Sequence, residues 1–137
     1  RPERYSHHMI EETGEFVVNL TTKKLAFATD YCGVKSGREI DKFKEMHLTP
    51  LSADVVAAPL IGESPVNIEC KVVEVKRLGS HDMFLAKVVA VQVEDSYLDE
   101  NGKFCLNDAD LLAYSHGEYM SLGEKIGTFG YSVKKKG

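Results

Sequence analysis

Val66-Asn67-Ile68-Glu69-Cys70-Lys71-Val72-Val73-Glu74-Val75, followed after a short break by Met83-Phe84-Leu85-Ala86-Lys87-Val88-Val89-Ala90-Val91-Gln92-Val93, is the stretch that decides the fold. In the first arm Val66, Ile68, Cys70 and Val72 alternate with Asn67, Glu69 and Lys71, the period of two that lays one side of a strand on a core. The adjacent Val72 and Val73 change the phase, which calls for a β-bulge or burial of both faces. The second arm is almost continuously apolar, the pattern of a strand covered on both sides, so it is expected to run through the middle of the molecule. Between the arms, Arg77-Leu78-Gly79-Ser80-His81-Asp82 forms a Gly-containing turn that carries an imidazole and a carboxylate.

Upstream, Ser6 to Gly14 reads as a short helix with Ser6 as N-cap and Gly14 as its left-handed stop. Phe16-Val17-Val18-Asn19-Leu20 is a compact strand. Leu25, Ala28 and Cys32 fall three to four apart, predicting a second helix over Thr22–Tyr31 that ends by Gly33. Ser36-Gly37-Arg38-Glu39 has capping-box spacing and is expected to open a third helix, with Ile40 and Phe43 facing inward. Pro50, Pro59 and Pro65 break the chain into an irregular connection before the strand pair.

Downstream, Asn101-Gly102 between apolar flanks signals a tight turn and a small hairpin. Asp108–Ala113 is expected to form one helical turn, and Tyr114–Val133 to be loop with short strand. The whole is mainly β with short helices, an α+β domain or a decorated barrel.

At 137 residues the chain is enough for one domain with a core, taken as residues 1–137. It opens Arg1-Pro2-Glu3-Arg4 without an initiator Met, as expected of a processed or incomplete chain. Apolar residues make up 43% and charged residues 28%, ordinary values for a soluble protein, and no apolar run reaches membrane-spanning length. Lys and Arg number 17 against 21 Asp and Glu, for a net charge of −4. Phosphate-dominated binding needs a basic stripe, and the only basic run is Lys134-Lys135-Lys136, so nucleic acid is not an expected partner. Three widely spaced cysteines without a CxxC suit a reducing cytoplasm. His7, His8, His47, His81 and His116 show no recurrent ligand spacing, so no metal site is expected. No Gly-x-Ser-x-Gly occurs, and Cys32 and Cys70 read as packing residues.

The run Gly79-Ser80-His81-Asp82-Met83-Phe84-Leu85-Ala86 after an apolar strand resembles the signature turn of the flavin reductase-like, FMN-binding split-barrel family, the group that includes flavoredoxin and archaeal ferric reductase. Three further stretches agree in order and spacing: Arg1 to Leu20, Ser36 to Phe43 ending in Asp41-Lys42-Phe43, and Tyr114-Ser115-His116-Gly117-Glu118-Tyr119. The resemblance implies a split β-barrel acting as a cytoplasmic homodimer with FMN between subunits. It further implies an oxidoreductase that passes reducing equivalents from NAD(P)H or a protein donor through FMN. Two alternatives stand beside it: a flavoredoxin-like electron carrier without efficient NAD(P)H oxidation, and a non-catalytic split-barrel binding protein. Family members normally begin with additional strands that supply part of the flavin pocket, and this sequence starts just after them. The signature turn also has Ser80 where an acidic residue is common in the family.

An FMN phosphate carries close to two negative charges and needs backbone N–H groups and cations. The resemblance places it on the Arg1–Ser6 turn and on Lys42. Ser6 offers a hydroxyl and the helix-start N–H groups of His7 and His8, with Arg1 and Arg4 immediately upstream, while Ser36-Gly37-Arg38 is a further source of donors. Each has a plainer reading: Ser6 as a simple N-cap, Lys42 as a solvated lysine, Arg1 as a loose end, Ser36 as the cap of its own helix. His81 and His116 are the imidazoles that the resemblance puts toward NAD(P)H. An exposed turn histidine bonded to Asp82 is the alternative for His81.

Overall fold

The computed structural model describes residues 1–135; Lys136, the last residue of the basic run, lies outside the described residues. Strand β1 (Glu15–Asn19), β4 (Val66–Arg77) and β5 (Asp82–Val93) form an antiparallel sheet in the order β1-β4-β5. The long hairpin predicted from the alternation is therefore present, closed by the pair Arg77↔Asp82, with Gly79 at φ 91° in its turn. Its register slips between Val72 and Glu74, where Val73 has no partner on β5, so the phase change in the sequence marks a bulge. A second slip lies between Glu69 and Cys70.

One expectation is reversed. The middle strand is β4, and β5 lies at the sheet edge with Leu85, Val88 and Val91 exposed. A near-continuous apolar run specifies burial on both faces, but among the described residues no strand pairs with the outer side of β5.

The helices are shifted from their expected starts. Helix α1 (Tyr5–Thr13) has Arg4, not Ser6, as its N-cap, and it ends as expected at Gly14 in the left-handed region. A 3₁₀ turn (Lys23–Leu25) precedes α2 (Ala26–Val34), so the second helix starts later and takes in Gly33. Ser36 opens a turn rather than a helix, accepting from the N–H groups of Glu39 and Ile40. The one-turn α3 (Lys42–Glu45) is capped instead by Asp41, whose carboxylate accepts from Lys44 N at 3.2 Å.

The proline-rich connection contains a short ladder, β2 (Pro50–Leu51) against β3 (Leu60–Ile61). Asn67 ties it to the main sheet, its amide oxygen accepting from Ile61 N at 3.0 Å and its amide nitrogen donating to Ile61 O at 3.2 Å. Glu69 ties the preceding loop: it has no exposed surface, and its carboxylate accepts from the N–H groups of Asp54, Val55 and Val56 and from the Gln92 amide. Burial pushes this carboxyl upward, but the hydrogen bonds from Gln92 and the three backbone amides hold it down to about 2. Apolar burial centres on Val56, Leu60, Val66, Cys70 and Ala109.

After β5 the Asn101-Gly102 turn forms as expected, with Gly102 at φ 76° and Asp99 accepting from Asn101 N and Lys103 N, but it is closed by a single bridge, Leu98↔Phe104. The helical turn expected at Asp108–Ala113 falls earlier, as a 3₁₀ turn over Leu106–Ala109. Strands β6 (Leu112–Ser115) and β7 (Glu118–Ser121) then form a hairpin whose two-residue loop, His116 and Gly117, has positive φ at both positions. The result is the expected α+β class, with more strand than helix.

Candidate functional site

Helix α1 starts beside the turn that follows α2. Gly37 approaches the Tyr5 ring so closely that a β-carbon there would lie 3.3 Å from it, and the Arg38 guanidinium stands 5.3 Å from the centre of the same ring. This contact opens a cleft of about 790 Å³ between the first turn of α1 and the chain from Cys32 to Lys42. Arg1, Arg4, Ser6, Ser36 and Lys42, all expected at a phosphate site, line it. So do Lys35 and Arg38, which sequence reasoning did not single out as cations.

The electrostatics of this cleft favour an anion. Five cationic side chains face two carboxylates, Glu3 and Glu39, and Glu3 already pairs with Arg1 at 2.8 Å. The first turn of α1 carries no acidic residue, so the positive end of its dipole is not offset there. Lys42 Nζ donates to the Cys32 carbonyl at 2.5 Å, which fixes the ammonium at the C-terminal turn of α2. Ser6 and Met9 also line an apolar hollow of about 510 Å³ bordered by Phe16, Phe43 and Pro59, so a charged cleft and an apolar hollow share one wall.

His7 is not part of this cleft. Successive helix residues are rotated by about 100°, which turns His7 away from Ser6 and onto the sheet, where it is buried at 7% exposure. Its backbone N–H donates to Arg4 O at 3.1 Å, so neither its ring nor its amide is available to an anion. His8, whose N–H was also a candidate, has an exposed side chain 3.6 Å from Glu12.

The His7 ring instead enters a network with the β4–β5 turn. Nε2 lies 2.7 Å from Asp82 Oδ2, Nδ1 lies 3.5 Å from Glu11, and the Phe84 ring packs edge-on at 5.1 Å. Arg77 bridges Asp82 and Glu11. The Arg77 and His7 hydrogen bonds hold the Asp82 carboxyl below its usual range, and the two carboxylates raise Arg77. His7, Glu11 and Asp82 present ligand atoms within 4.8 Å of one another, but the Arg77 guanidinium already hydrogen-bonds both carboxylates, so the set is an internal ion network. The i,i+4 spacing of His7 and Glu11 was the available sequence signal for it.

His81, next to Asp82, is exposed and within 3.0 Å of Ser80 Oγ. The bond expected between His81 and Asp82 is thus replaced by one to Ser80, while Asp82 turns inward to His7. His116 is exposed at the tip of the β6–β7 hairpin, which is anchored to α2 by Tyr119 Oη donating to Asp30 at 3.1 Å. Neither histidine lines the cationic cleft.

Residues 1–123 match the family described as flavin reductase like domain. An uncharacterized protein of Archaeoglobus fulgidus is 33% identical over 115 residues, covering 84% of this chain and 64% of its own length. Among solved structures, flavoredoxin of Desulfovibrio vulgaris (Miyazaki F) superimposes with a TM-score of 0.88 at 29% identity, over 98% of this chain and 73% of that one. A Shewanella frigidimarina protein with a split barrel domain matches with a TM-score of 0.80 at 23% identity, over 96% of this chain and 67% of its own, which identifies the fold as of the split-barrel type. The chain thus spans less than two thirds of the length of these relatives, 64% of the Archaeoglobus protein and 37% of an Aeropyrum pernix relative.

Proposed function

We propose that this chain, which belongs to the flavin reductase like domain family, binds FMN by its phosphate in the cationic cleft and passes reducing equivalents through it. The observation that carries the reading is the convergence of Arg1, Arg4, Lys35, Arg38 and Lys42 beside the Ser6 and Ser36 hydroxyls. A phosphate monoester needs cations and donors rather than a base, and this cleft supplies both. The adjoining apolar hollow suits a ligand whose other part is an aromatic ring.

Bound FMN would supply hydride acceptance and electron transfer; the protein's share is to bind, orient and shield. In this reading Lys42 and the arginines hold the phosphate, Ser6 and Ser36 orient it, and His81 and His116 meet the nicotinamide or protein donor. The working unit is a homodimer with FMN between subunits, which the exposure of Ile126, Phe129 and Val133 supports, since such side chains favour a covering surface. A reducing compartment such as the cytoplasm suits three free cysteines. No helix among the described residues is long and apolar enough to cross a membrane.

The similarity to flavoredoxin favours a second reading, an electron carrier that holds FMN but oxidises nicotinamide slowly. The visible absorption spectrum of the purified full-length protein, followed by steady-state NADH and NADPH consumption with and without added flavin, tests both. A flavin spectrum with rapid turnover supports a reductase, and a flavin spectrum with slow turnover supports the carrier. A colourless, folded protein that takes up no FMN removes both and leaves a non-catalytic split barrel.

A further inference from the structure

We propose that the buried His7–Asp82 pair, braced by Arg77 and Glu11, is a positioning device that sets the His81 turn relative to the anion-facing start of α1. The inference rests on the flavin reading for the roles of Ser6 and His81, but the linkage itself is a matter of geometry. Ser6 lines the cationic cleft, and its neighbour His7 is buried. His81 is exposed, and its neighbour Asp82 has only 5% of its side chain exposed. Each surface residue is therefore one peptide away from a member of the pair, and the pair is joined at 2.7 Å.

Three further contacts make the linkage stiff. Arg77 holds Asp82 on its own hairpin and Glu11 on α1, so one guanidinium fastens both elements. Arg77 and Asp82 are also the last register pair of the hairpin, and Leu78 N donates to His81 O at 3.0 Å, closing the turn. Phe84, two residues beyond Asp82, supports the His7 ring edge-on. Because both carboxylates already accept from Arg77, their hydrogen-bonding is spent inside the network. Its consequence is mechanical: α1 and the turn are held as one body.

A simple staple would add stability and nothing else, so the test needs a readout at His81. His7→Ala, His7→Gln and Asp82→Asn would be compared with wild type by flavin titration, by the imidazole NMR signals of His81, and by KM for NADH and NADPH. Loss of one charge-assisted contact predicts that His7→Ala and Asp82→Asn raise KM about five- to tenfold. They should also shift or broaden the His81 signals and leave FMN affinity within about twofold. His7→Gln, whose amide still donates toward Asp82, should restore most of both. Unchanged His81 signals and KM in folded variants, with only a lower melting temperature, would overturn the proposal. A wild type that binds no flavin refutes the flavin reading, while the His81 signals still decide the linkage. If His7→Ala does not fold, Arg77→Gln, on the exposed side of the network, must give the same His81 response for the proposal to survive.

Discussion

Replacing Lys42 with Ala removes a cation of the cleft whose ammonium is fixed by a backbone carbonyl. An ammonium has three N–H donors, and one is engaged by Cys32 O at 2.5 Å, so donors remain for a phosphate without the side chain having to be ordered on binding. A hydrogen bond to a charged group is worth roughly 1.5–3 kcal/mol. Lys42 is half-buried in an open cleft where Arg1, Arg4, Lys35 and Arg38 also face the anion, so solvent screening and substitution by a neighbour favour the low end of that range. The expected loss is therefore about tenfold in FMN affinity, read by quenching of flavin fluorescence on titration. Riboflavin, which has no phosphate, should bind the variant and the wild type alike. Lys44→Ala, on the same short helix but outside the cleft, should leave both ligands unaffected. An FMN affinity unchanged in folded Lys42→Ala, or a parallel loss for riboflavin, would refute the assignment of the phosphate to this cleft.

Other substitutions probe different parts of the account. Ser6→Asp puts a carboxylate into the first turn of α1, where the helix dipole should stabilise the fold by about 0.3–1 kcal/mol, while repulsion lowers FMN affinity about tenfold or more; a calorimetric scan and a titration moving the same way would contradict it. Glu69 has a folded-state carboxyl lowered to about 2, so its stabilisation is fully present above the unfolded carboxyl range and is lost as pH falls from about 5 towards 2. Urea midpoints at pH 7, 5 and 3 should accordingly fall less steeply with acid in Glu69→Gln than in wild type, and parallel curves would disprove the role. Gly79→Ala forces an L side chain to φ 91° in open space and should cost about 1–2 kcal/mol in urea unfolding through backbone strain. No loss there would mean that the turn relaxes.

The long hairpin was legible because alternation is a direct statement of which residues face the core, and even the bulge at Val73 showed as a change of phase. The edge position of β5 was not legible, since an apolar run states that a strand wants cover on both faces and not what provides it. Helix starts were misplaced for a local reason: Ser6 and Ser36 are good caps by residue type, yet Arg4 and Asp41 take those positions, and cap preferences of about 1 kcal/mol yield to packing such as that of Tyr5 against Gly37. At the candidate site, Arg1, Arg4 and Lys42 line one cleft with Ser6 and Ser36, and His7 does not. The cleft takes Arg4, Tyr5 and Ser6 from the start of α1, and the next residue, His7, rotated by about 100°, is buried on the other side. Its ion network joins residues 7, 11, 77 and 82, a grouping that only the pairing of α1 with the β4–β5 turn brings together.

The measurement that bears most directly on the central claim is the ratio of riboflavin to FMN dissociation constants for the full-length protein, taken at low and at high salt. A phosphate seated among the cleft cations predicts FMN binding at least about tenfold tighter than riboflavin at low salt, with the gap narrowing as salt screens the cleft. Equal affinities at both salt concentrations, or no flavin binding by a folded protein, would contradict it.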